Sequence, residues 1–119
     1  MNPARDPDQP DAGTHPPRPS SPPGVRSVEA TEETEAARAW TYTLRVFWEG
    51  GRLTTHAATL RWADHDHWSG GAHPPSRVLE CVARAAAETL GPDALPTRFD
   101  ASSLRRRVKD LDARVRELL

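Results

Sequence analysis

From Trp40 to Trp48 the chain places an apolar side chain at every second position: Trp40, Tyr42, Leu44, Val46 and Trp48. A period of two is the pattern of a strand with one buried face. The next residues, "EGGR" at 49–52, supply glycines that reach positive φ without strain, as a tight reversal requires. The sequence therefore predicts a β-hairpin with strands over about 40–48 and 53–62.

Side-chain volume selects a register. A two-residue turn at Gly50-Gly51 would pair Trp48 with Leu53 and leave Leu60 and Trp62 on the wrong face. A longer loop or a bulge that pairs Trp48 with Thr54, Tyr42 with Leu60 and Trp40 with Trp62 collects the large residues on one side. In that register His56 faces the core, opposite Val46.

A hairpin this apolar needs a cover. In "PPSRVLECVARAAAETLGP" the residues Val78, Leu79, Val82, Ala86 and Leu90 recur at helical spacing, between prolines suited to a helix start and a Gly91-Pro92 stop. That predicts a helix over 75–90. "PDALPTRFD" follows as a linker, anchored by Leu95 and Phe99. A second helix is predicted over 101–118, capped by Asp100, with Leu104, Val108, Leu111, Val115 and Leu118 as its seam. That seam is too short to be stable as a free coiled coil, so it is expected to pack on its own domain.

Residues 1–39 contrast with all of this. They hold most of the twelve prolines and no tryptophan, tyrosine, phenylalanine, leucine or isoleucine. Such a segment buries too little apolar surface to offset the entropy of ordering it. The expected organisation is a disordered Pro-rich and acidic tail over 1–39, then a small α+β domain over 40–119, an antiparallel hairpin packed by two helices. A domain of that size often completes its core against a partner or a second copy.

Charge excludes little. The net charge of −1 gives no global pull toward nucleic acid or membrane. The balance is uneven, with four glutamates against one arginine over 28–39, and six basic against three acidic residues over 101–119. Fifteen of the sixteen basic residues are arginine and isoleucine is absent, a bias that a GC-rich bacterial genome produces without any partner. The single cysteine, Cys81, permits no internal disulfide and is expected to pack as a small hydrophobe. No apolar run has membrane-spanning length and no secretory signal is visible, so the expected location is cytoplasmic.

Three groups of residues are candidate sites. "RWADHDHWSGGAHPP" at 61–75 concentrates Asp64, His65, His67 and His73, which an extended segment could turn toward a zinc-like cation. The favoured reading is instead a structural loop, because no cysteine pair or helical His-x-x-x-His accompanies them. The tryptophans form the second group: most of their surface is expected in the core, with Trp48, Trp62 and Trp68 as anchors wherever one reaches a rim. The third is Arg105, Arg106 and Arg107 at the start of the last helix, available to an acidic partner or a phosphate.

No nucleophile stands beside a base, and no glycine-rich phosphate loop is present, so no enzyme activity and no cofactor are expected. The expected function is a small regulatory or accessory module that binds a protein partner or a second copy of itself through the Trp-bearing hairpin face and terminal helix. Metal binding by the 64–73 segment and nucleic-acid binding by the arginines are the alternatives.

Overall fold

A computed structural model describes residues 24–119. Its elements are β1 (Val25–Ala36), β2 (Ala39–Trp48), β3 (Leu53–Arg61), α1 (Trp62–Ser69), α2 (Pro75–Leu90), β4 (Arg98–Asp100), a 3-10 helix (Ala101–Arg106) and α3 (Leu111–Leu118). The strands form one sheet in the order β1-β2-β3-β4. The first three run antiparallel, and β4 lies parallel to β3 after the crossover through α1 and α2. The class is α+β, with the predicted hairpin at its centre and helices packed on it.

The hairpin register differs from the expected one by two residues. Phe47 pairs with Leu53, Leu44 with His56, Tyr42 with Ala58 and Trp40 with Leu60. The reversal is a three-residue loop, closed by Trp48 N donating to Arg52 O at 2.8 Å, with Gly50 and Gly51 at φ +91° and +94°. A two-residue slip leaves every side chain on its original face, so the division into inside and outside survives. Tyr42, Leu44, Val46, Trp48, His56, Ala58 and Leu60 are buried.

The ordered domain begins earlier than residue 40. Residues 25–36, assigned above to the tail, form β1 and pair with β2 along its length. Counting apolar residues misses such a strand because β2 supplies its backbone bonds, and only Val25 is fully buried while Val28 and Ala30 pack from the rim. Its glutamates bind across the ladder: Tyr42 Oη donates to Glu33 at 2.6 Å, Thr43 Oγ1 to Glu32 at 2.9 Å, and Arg45 pairs with Glu29 at 3.6 Å. From the other side, Glu80 of α2 accepts from Ala30 N at 2.9 Å and Arg84 donates to Val25 O at 3.1 Å. The expectation of disorder for residues 1–23 lies outside the described residues.

Helix α2 has the predicted span. Pro75 occupies its first turn, and Val78, Leu79, Cys81, Val82 and a run of alanines are buried. The small alanine side chains let it lie close to the sheet. The linker anchors, Leu95 and Phe99, are buried as expected. Phe99 also belongs to β4, a three-residue strand too short to show a period in the sequence.

The predicted helix over 101–118 is two helices. A 3-10 turn capped by Asp100, which accepts from Ser102 N, ends at Arg106, and α3 starts after Asp110 at φ +59°. The seam still packs inward: Leu104, Val108, Leu111 and Val115 are buried and Leu118 is partly covered. A straight helix would set Arg105 and Asp112 about 10.5 Å apart along its axis. The break brings Arg105 Nε to 3.0 Å from Asp112 Oδ1.

Candidate functional site

The stretch 61–75 is mostly helix, where a loop was expected. Trp62–Ser69 form α1, which stops at Gly70 in the left-handed region. In a helix His65 and His67 point to different sides, since residues two apart do not share a face. His65 Nε2 bonds the carbonyl of His73 at 2.6 Å, and its ring meets Trp40 edge-on at 5.2 Å. His67 turns to Asp112 at 3.0 Å. Asp64 turns inward to Arg105 at 3.1 Å. The four candidate ligands are thus divided among separate contacts, and no group of three metal-ligating side chains occurs among the described residues.

Asp112 is the centre of a polar knot joining α1, the 3-10 helix and α3. Trp68 Nε1 donates to its Oδ1 at 2.7 Å, Arg105 Nε to the same oxygen at 3.0 Å, and His67 engages Oδ2. Burial would raise this carboxyl, but the hydrogen bonds from His67, Arg105 and Trp68 outweigh it and hold it well below the usual carboxylate range. The Arg105 guanidinium also lies over the Trp68 ring, 4.4 Å from its centroid. Asp64 is nine-tenths buried, and its Oδ2 has no hydrogen-bond partner among the described residues.

A second polar chain ties the hairpin to the linker. Trp48 Nε1 donates to Thr54 Oγ1 at 2.9 Å, His56 Nε2 lies 2.8 Å from the same hydroxyl, and His56 Nδ1 lies 2.6 Å from Pro96 O. A carbonyl only accepts, so Nδ1 carries the proton, and the threonine hydroxyl donates to Nε2. The ring is neutral, and burial, partly offset by the Pro96 carbonyl, lowers its pKa.

The residues proposed from sequence as partner contacts therefore divide. Trp48 and Trp68 are buried and serve the core. Arg105 is held within the knot, and Arg107 donates to Ala94 O at 3.2 Å; Arg106 is exposed. Among the tryptophans Trp40 is partly buried and only Trp62 is exposed, at 45%. It sits where two chain reversals meet. Arg38 occupies the turn between β1 and β2 at φ +53°, and its carbonyl accepts from Trp62 N at 3.0 Å. Arg61, the last residue of β3, donates to Asp100 at 2.6 Å. Trp40 backs the exposed indole at 6.2 Å between ring centroids. Between these groups lies a depression of about 410 Å³ lined by Arg38, Arg61, Trp62 and Ala63.

Arg38 and Arg61 escaped the sequence reading. Arg38 was assigned to the tail, and nothing local marks two arginines 23 positions apart as neighbours; only the complete strand order brings them together. The uncovered face of the sheet carries a second, broader depression of about 760 Å³, lined by Thr34, Thr41, Thr43 and Thr59 with Arg98 and Glu32 at its margins. No helix of the described residues is long and apolar enough to cross a membrane. No family model, curated protein or solved structure matches the chain.

Proposed function

We propose that this chain is a non-catalytic protein-interaction module that anchors its partner at the Trp62 corner. The observation that carries the reading is an exposed indole that lines a depression together with Arg38 and Arg61. Tryptophan and arginine are the residues most enriched among those that dominate interface energies. The indole is backed by Trp40 and its backbone is tied to the Arg38 turn, so part of the entropy cost of ordering it is met before binding. Both flanking groups are cationic, which favours a partner segment with a carboxylate beside an apolar side chain.

The nucleic-acid reading is weaker because Arg105, one of the three arginines of its basic cluster, is already bound to two aspartates. The metal reading is weaker because its four residues make separate contacts.

The test is recovery of a partner from the native host with tagged full-length protein, as wild type, Trp62→Ala and Leu53→Ala. Leu53, at 49% exposure, is the other large exposed apolar residue of the described chain and serves as a control. Wild type and Leu53→Ala should recover the same protein and Trp62→Ala should lose it without a large change in melting temperature. Equal recovery by a folded Trp62→Ala protein would dismiss the corner as the anchor.

A further inference from the structure

The Trp62 corner is cationic, and the chain carries a matching anion of its own. "DPDQPD" at residues 6–11 holds Asp6, Asp8 and Asp11 with Pro7 and Pro10 between them. Carboxylates alternating with apolar rings are the chemistry that a depression lined by an indole and two arginines accepts. Arginine has five donors, so Arg61 can keep Asp100 and take a second carboxylate. Among the described residues no salt bridge engages Arg38, which leaves it open to an acidic group.

The covalent distance is also suitable. Residues 1–23 join the described chain at Gly24, whose carbonyl accepts from Glu49 N at 2.9 Å beside the β2–β3 turn. The Trp62 corner lies at the opposite end of the same strands. From Ala39 to Trp48, β2 spans about 31 Å at roughly 3.4 Å per residue. The intervening ten residues, "HPPRPSSPPG" at 15–24, have five prolines. Ten residues of any chain span at most about 33–36 Å, enough to cover that distance. Residues 6–11 begin only a few positions farther along.

Resting on the reading of the corner as a docking site, we propose that Asp6–Asp11 occupy it as an internal ligand, which a partner must displace. A linker of this length gives an effective concentration of about 1 mM. If the tail fills the corner at least half of the time, it lowers the affinity for an external partner by about 2-fold or more.

The experiment uses the full chain, as wild type and as the triple variant Asp6→Asn, Asp8→Asn, Asp11→Asn. The readout is the indole N–H signals in two-dimensional NMR spectra. Removing the three charges should move the Trp62 signal and leave those of Trp48 and Trp68 in place, and added salt should move the wild-type signal toward the variant's. A synthetic peptide of residues 1–14, added to the triple variant in the millimolar range, should restore the wild-type position. Identical Trp62 signals in the two proteins would overturn the proposal, and so would a peptide without effect. A Trp62 signal that follows protein concentration instead of tail charge would assign the corner to a second copy. No partner enters this test, so its failure leaves the Trp62→Ala recovery result standing. Conversely, a tail-dependent shift with partner recovery intact in Trp62→Ala would refute the docking reading alone.

Discussion

Replacing Arg105 by Met keeps most of the side-chain volume and removes the charge that the knot depends on. Its guanidinium serves two carboxylates, and the Asp64 side chain is only 11% exposed. Truncating one partner of a buried ion pair costs about 3–5 kcal/mol, because the other charge is left without compensation. The Arg105 and Asp112 side chains keep 31% and 35% exposure, and solvent relieves part of that cost. Loss of the contact with the Trp68 ring adds about 0.5–1 kcal/mol. The expected destabilisation is therefore about 2–3 kcal/mol, or roughly 10–20 °C in Tm for a domain of this size. Urea unfolding at pH 7 measures it. A double variant, Arg105→Met with Asp64→Asn, should recover about 1 kcal/mol or more, since the stranded charge is gone. The deficit of Arg105→Met alone should also shrink as pH falls below about 4, because the stability that Arg105 gives by holding the Asp112 carboxyl low is present above the unfolded carboxylate value and lost on protonation. A single variant within about 0.5 kcal/mol of wild type would refute the argument. So would a double variant no more stable than the single one.

Leu111→Asp places a charge among buried seam residues and should destabilise the protein by a few kcal/mol in urea; a folded variant that only changes from dimer to monomer in sedimentation would assign the seam to an interface. Because burial lowers the folded-state pKa of His56, its contribution to stability is complete above its unfolded value of about 6.5 and is lost as pH falls through the lower folded value. Unfolding free energies between pH 7.5 and 4.5 should show that decline, and His56→Gln should remove the part of the slope that belongs to this ring. Limited proteolysis followed by mass spectrometry should yield a protected fragment that retains Val25–Ala36; a fragment starting near Trp40 would dissolve β1. A zinc chelator should leave Tm unchanged, and a fall on chelation would restore the metal reading.

The sequence was most informative where period and volume act together. The alternation from Trp40 to Trp48 identified the buried face of the hairpin, and a two-residue error in register did not disturb it. Helix α2 was legible because its stripe and both stop signals agree. What escaped were elements held by partners distant in sequence. Strand β1 is rich in glutamate and stays in place through β2 on one edge and Glu80 and Arg84 on the other. Helix α1 has almost no apolar stripe of its own; Trp68 is fixed from α3, 44 residues away. The break between Arg106 and Leu111 is hidden by a seam whose heptad spacing continues through it. Of the expected contact residues, Trp62 lies at the corner described above, while the two arginines beside it required the whole strand order to find.

Helix α2 also carries the chain's one thiol, facing the core at 3% exposure. Burial pushes the Cys81 pKa up, which keeps the group in its unreactive protonated form while the domain is closed. The thiol lies at the floor of a shallow depression rimmed by Val28, Arg77 and Leu118, so a thiol reagent modifies it when the contacts of that rim open. The labelling rate of the native protein, divided by that of the unfolded chain, then equals the fraction of time this interface stands open. The protein thus contains its own clock for breathing where β1 and α3 meet α2, at a position where no probe has to be introduced. The same clock can be read for each variant named above, at concentrations too low for self-association to interfere.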